Sequence, residues 1–123
     1  MTTDYESSDL GHYDIEIVTH ASFVLEITWN DENGAPIDLT GYTARMQARD
    51  DEDADTPWFD VDESDYIALG GTAGTISVVI PKSITEDITS EEGVWDLMLT
   101  SPAGVTTRVL HGCACVEKGI THD

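Results

Sequence analysis

Ser22-Phe23-Val24-Leu25-Glu26-Ile27-Thr28-Trp29 is the stretch that decides the fold. Phe23, Leu25, Ile27 and Trp29 recur at every second position, while Ser22, Glu26 and Thr28 take positions between them. Period two is the signature of a strand with one face buried; a helix would need apolar residues three and four apart. Burying each of the four large side chains is worth about 1.5–3 kcal/mol before entropy is counted.

The same reading extends in both directions. Upstream, Tyr13-Asp14-Ile15-Glu16-Ile17 alternates apolar with acidic, so Tyr13, Ile15 and Ile17 are expected inward. Downstream, Asp31-Glu32-Asn33-Gly34 supplies a turn, with Asn33-Gly34 suited to positive φ. Pro36-Ile37-Asp38-Leu39 is a short extended piece ending at Thr40-Gly41, and Tyr42, Ala44, Met46 and Ala48 then alternate with Thr43, Arg45, Gln47 and Arg49. The run Asp50-Asp51-Glu52-Asp53-Ala54-Asp55 breaks the pattern as a solvated loop, and Trp58-Phe59 and Val61 make a short strand after Pro57. Tyr66-Ile67-Ala68-Leu69 and Thr75-Ile76-Ser77-Val78-Val79-Ile80 flank the reversal Gly70-Gly71-Thr72-Ala73-Gly74. Ser83 and Glu86 have capping-box spacing, Ile84 and Ile88 share a helical face, and Gly93 offers a stop, which predicts a turn or two of helix. Trp95, Leu97 and Leu99 form another inward row. After Ser101-Pro102-Ala103-Gly104 the chain returns through a long strand, Thr106 to Val116, with Val105, Leu110, Ala114 and Val116 apolar on either side of it, so this strand is expected to be central.

Strands punctuated by turn chemistry roughly every 8–12 residues predict an all-β sandwich or barrel. One domain is expected over residues 12–118, with tails at 1–11 and 119–123. A chain of 123 residues buries roughly two-thirds of its unfolded surface, enough for its own core.

Charge narrows the partners. Asp and Glu number 25 and Lys and Arg 5, a net charge of −20, and the bases are Arg45, Arg49, Lys82, Arg108 and Lys118. Phosphate backbones and anionic membrane surfaces repel such a chain, so neither nucleic acid nor membrane is an expected partner. Solubility is the plain reading of the acid; a salty medium or a basic partner surface are the sharper ones. No apolar run approaches the roughly 20 residues that span a bilayer. Met1-Thr2-Thr3-Asp4-Tyr5-Glu6 has neither the basic start nor the apolar stretch of a secretory signal, so no export is expected.

Few residues carry chemistry. Cys113 and Cys115 sit two apart, on one face of a strand, too close to staple a loop. They are expected as reduced core residues. With His111 they make a row of zinc-ligand types, but a structural site needs a fourth ligand, and no spacing points to His12 or His20 as its source. The acidic loop offers oxygen ligands for calcium, yet the sixth position from Asp50 is Asp55 and the twelfth is Val61, where an EF-hand needs glycine and glutamate. No nucleophile elbow, P-loop or zinc-protease helix accompanies His12, His20, His111 or His122, so no enzyme, cofactor or metal site is expected. Of the tryptophans, Trp29 and Trp95 lie in inward rows, and Trp58 is the candidate for an exposed, sugar-stacking ring.

Phe23–Trp29, the segment Asp31-Glu32-Asn33-Gly34-Ala35-Pro36-Ile37-Asp38-Leu39-Thr40-Gly41-Tyr42, and Trp95-Asp96-Leu97-Met98-Leu99, taken in order, resemble small tailed-phage virion proteins of immunoglobulin-like type. The likeness is to the N-terminal domain of phage baseplate upper proteins and to proteins associated with tail fibres, and it extends over about residues 12–118. The resemblance implies an immunoglobulin-like antiparallel β-sandwich that joins one virion component to another, made in the host cytoplasm and working in the virion. Its partners would be other virion proteins and copies of itself in a symmetric assembly. A stalk or receptor-binding domain is not expected, which leaves tail, baseplate, collar adaptor or capsid decoration as expected roles. A carbohydrate- or calcium-binding sandwich is the alternative.

Overall fold

A computed structural model describes residues 2–6 and 11–122. In chain order the strands are β1 (Thr2–Glu6), β2 (Gly11–His12), β3 (Ile15–Val18), β4 (Phe23–Asn30), β5 (Thr43–Arg49), β6 (Phe59–Asp62), β7 (Ile67–Leu69), β8 (Thr75–Ile80), β9 (Glu92–Thr100) and β10 (Thr106–Glu117). One short helix, α1 (Lys82–Thr85), lies between β8 and β9. The strands form a four-stranded sheet, β1-β4-β8-β7, and a six-stranded sheet, β2-β10-β9-β5-β6, with β3 also on β10. With β4, β7 and β8 on one side and β5, β6, β9 and β10 on the other, this is an immunoglobulin-like sandwich.

The alternation in the sequence becomes the core. Leu25, Ile27 and Trp29 of β4 are buried, as are Ile76, Val78 and Ile80 of β8, Ala44, Met46 and Ala48 of β5, and Trp95, Leu97 and Leu99 of β9. All belong to one apolar cluster between the sheets. Trp95 is buried at no polar cost, because its Nε1–H donates to the Tyr13 carbonyl at 2.8 Å. The Asp31 carboxylate accepts from the Asn33 and Ala35 amides at 2.9 and 3.0 Å, closing the turn in which Gly34 takes φ 81°.

Five local expectations are corrected. Thr2–Glu6, read as tail, pairs in parallel with β4, from Thr2 opposite Glu26 to Glu6 opposite Asn30. That edge of β4 is the one β8 leaves unpaired, and an added strand satisfies its backbone groups. The rest of the expected tail, Met1 and residues 7–10, lies outside the described residues apart from Gly11, which begins β2. At the other end, Gly119 N–H donates to Thr19 Oγ1 at 2.9 Å and His122 stacks on His20 with ring centroids 3.7 Å apart, so residues 119–122 are tied to the sandwich. The capping box does not form: α1 starts at Pro81 with no side-chain cap. Gly93 is no helix stop but lies in β9, where a Cβ would come within 2.1 Å of the Arg49 carbonyl and 2.6 Å of the Trp58 ring.

The fifth correction has the largest consequence. Cys113 and Cys115 are free but exposed, and Ala114 between them is fully buried. A β-bulge is the cause. Arg108 pairs with Met98 and Leu110 with Leu97, leaving Val109 as the extra residue. Val109 and Leu110 both turn inward, at 2% and 0% exposed. Side-chain direction has period two, so one inserted residue moves everything after it to the opposite face. Without the bulge, His111, Cys113 and Cys115 would point into the core.

Candidate protein-docking face

The outer face of the six-stranded sheet is built from the positions that the core leaves outward. These are Thr43, Arg45, Gln47 and Arg49 of β5, Val94, Asp96, Met98 and Thr100 of β9, and Arg108, His111, Cys113 and Cys115 of β10. All three arginines of the chain lie on it. Arg45 is occupied: its Nε and Nη2 donate to the two carboxylate oxygens of Asp60 at 2.8 and 2.5 Å, which lowers the Asp60 pKa. Arg49 donates to the Ala54 carbonyl and to Gln47 Oε1, both at 2.7 Å, and so anchors the acidic loop rather than a carboxylate.

A half-open groove of about 380 Å³ crosses this face, lined by His12, Arg49, Asp96, Arg108, His111 and Cys113 among others. The bulge brings Arg108 and His111 to the same side, where His111 stands opposite Asp96 in register. Gly112 shapes the rim. A Cβ there would lie 2.3 Å from the Tyr13 carbonyl, and its absence lets the Tyr13-Asp14 step close over β10. Asp14 Oδ1 then accepts from the Cys113 amide at 2.9 Å and lies 2.8 Å from His12 Nε2. The amide first, and the imidazole second, hold the Asp14 carboxyl below its ordinary range.

Three polar groups in the groove are unmatched among the described residues. Asp96 accepts no hydrogen bond, and partial burial pushes its pKa up against the pull of Arg108, His111 and Arg49. The Arg108 guanidinium makes neither a hydrogen bond nor an ion pair. His111 Nδ1 is buried without a partner. Of the three, His111 Nδ1 is the one that is buried, and a buried polar group without a partner costs about 1–3 kcal/mol; Arg108 is exposed and Asp96 half-buried.

Of the other sequence-level candidates, some lie on this face and some elsewhere. His111, Cys113 and Cys115 do share one face, but among the described residues no three His, Cys, Asp or Glu side chains converge as a metal site. No ring nitrogen hydrogen-bonds a cysteine sulfur there either. His20 and His122 stack beyond the C-terminal end of β10, and His20 Nδ1 lies 3.9 Å from Glu86. Trp58 is half-buried against Gly93, and its Nε1–H donates to Asp50 Oδ1 at 2.8 Å. Ser90 Oγ donates to the same oxygen, and these two bonds, Ser90 first, lower the Asp50 pKa. The acidic loop is thus engaged in turn contacts.

The two outer faces differ chemically. On the four-stranded sheet, Val24 and Val79 stand opposite each other, each 44% exposed, beside Tyr66. No base occupies its described outward positions. Among the described residues, no helix is long and apolar enough to cross a membrane.

No protein-family model matches the chain, and no curated protein does. Among solved structures, it is similar to a chain from the complex of ICOS with ICOS-L and an anti ICOS-L VNAR domain, at TM-score 0.48 and 12% identity, over 89% of this chain and 56% of that one. A second similarity is to Drosophila OTK extracellular domains 3–5, at TM-score 0.35 and 16% identity, over 85% of this chain and 32% of that one. The chain therefore spans about half the length of the first and a third of the second.

Proposed function

We propose that this chain is a structural component of a tailed-virus particle, an adaptor or decoration protein that joins virion parts at the tail, baseplate, collar or capsid. The observation that carries this reading is the outer face of the six-stranded sheet. A chain of net charge −20 gathers its three arginines on one broad face and leaves Arg108, Asp96 and His111 Nδ1 without hydrogen-bond partners there among the described residues. A half-open groove on a flat sheet suits a protein surface better than a small molecule, which is usually enclosed over most of its area. The segments that resemble phage virion proteins supply β4, the turn after it and β9, the strands that support this architecture. Repeated copies in a particle let each contact be weak and still hold, because linked sites raise one another's effective concentration.

The test is composition of particles. Virus particles from the source organism, banded by density and dissolved for quantitative mass spectrometry, should contain this chain at a fixed ratio to the major structural proteins. Its absence, or a ratio that falls with each further banding, would overturn the reading.

A further inference from the structure

Arg108, Asp96 and His111 lie together in a groove that the other described residues leave open. Its lining carries Arg49 and Arg108 against Asp96 and Glu52, and the exposed Asp14 carboxylate stands at the rim on His12 and the Cys113 amide. On a chain of net charge −20 with five basic side chains, the groove gathers two of them, so a partner's acid meets less repulsion there than elsewhere. No ion pair joins Arg108 to Asp96, and each keeps its hydrogen-bonding capacity open among the described residues. Guanidinium presents a fork of donors that matches a carboxylate, whereas an ionised carboxylate only accepts.

We infer that this groove docks an extended segment of a partner protein that carries an acidic side chain beside an N–H donor, the acid pairing with Arg108 and the donor bonding to Asp96. The inference rests on the virion reading for the statement that the partner is a protein. His111 Nδ1 adds a third point, available to an N–H or to a carbonyl according to its tautomer. The bulge at Val109 fixes the spacing, since it sets Arg108 and His111 on one face, opposite Met98 and Asp96, with the single β9 residue Leu97 between those two. A basic partner lacking acids would leave Arg108 unpaired, and a purely acidic one would face Asp96. The mixed segment satisfies both.

The experiment uses the full chain, labelled with ¹⁵N, and the capped peptide Gly-Glu-Lys-Gly as probe, with Gly-Gln-Lys-Gly as its partner probe. A single short segment without the particle's repetition should bind in the range of about 1 mM. The Arg108 Nε–H and the His111 ring signals should shift and saturate with the glutamate peptide. The glutamine peptide should need at least about tenfold more, the loss of one charge-assisted pair. Arg108→Gln should abolish the difference between the two peptides while keeping the dispersion of the amide spectrum. Should Arg108→Gln fail to fold, the comparison of the two peptides on the parent chain decides alone. Shifts that never saturate, or identical curves for the two peptides, overturn the inference. Saturable binding by a chain absent from particles would sink the virion role and leave the site. A chain present in particles with no glutamate preference would sink the site alone.

Discussion

Deleting Val109 should be tolerated, although removing one residue from a central strand ordinarily turns half of that strand inside out. The bulge makes the difference. With Val109 gone, Arg108 still faces Met98 and Leu110 still faces Leu97, now as consecutive pairs, so neither half of β10 changes face. What is lost is one side chain that is 2% exposed. Its burial is worth about 1.5–3 kcal/mol, and incomplete closing of the hole brings the total to about 2–4 kcal/mol. A domain of this size holds about 5–15 kcal/mol, so the shortened chain should remain folded. With a urea slope near 1.5 kcal/mol/M, the midpoint should fall by about 1.3–2.7 M. Deleting Ala114 instead, in the same strand but outside the bulge, would turn Cys115 and Glu117 inward and should abolish a cooperative transition. Urea melts of both variants give the stabilities. Reaction of native protein with a thiol reagent gives the direction of the cysteines, which should stay fully reactive when Val109 is deleted. Loss of cooperative folding on deleting Val109, or protected thiols in a folded variant, would refute the bulge as the origin of this face.

Leu25→Asp should abolish cooperative folding, because Leu25 is 1% exposed between the sheets, while Glu26→Ser should change stability by no more than about 0.5 kcal/mol; equal midpoints in urea would refute the register of β4. Sodium chloride should raise the melting temperature between 0.1 and 1 M by roughly 3–6 °C, about 1 kcal/mol in a domain of this size, as the screening length falls from about 10 Å to about 3 Å. A flat response in differential scanning calorimetry would show that the charge of −20 is spread too thinly to strain the fold. Asp96→Asn should be the more stable chain at pH 7. Burial raises the folded-state pKa of Asp96, so the stability its proton contributes is complete below the unfolded value of about 3.9 and is lost as pH rises through the folded value. The advantage of Asn should therefore shrink as the pH is lowered toward 4, and a difference in melting temperature that stays constant from pH 7 to pH 4 would contradict it.

Much of the sandwich was legible from residues alone, because inward and outward alternation depends on nothing beyond the strand itself. Phe23 to Trp29, Tyr42 to Arg49, Thr75 to Ile80 and the row Trp95, Leu97, Leu99 each declare which side chains leave water, and the turns between them carry their own glycines and aspartates. Net charge likewise needs no fold. Pairing is different, since it requires a second strand. Thr2–Glu6 has no apolar alternation to mark it, and it is a strand because β4 offers an open edge. The capping box at Ser83 and Glu86 had the right spacing, but the backbone enters the helix at Pro81 instead. In β10 the consecutive apolar pair Val109-Leu110 was the one visible sign of a bulge, and only the register against β9 shows which residue is extra. That one-residue offset moves His111 and the cysteines from the expected core to the surface and sets Arg108 beside them. Asp96, Arg108 and His12 come from three strands separated by loops, so their meeting is a property of tertiary pairing, which no local period encodes.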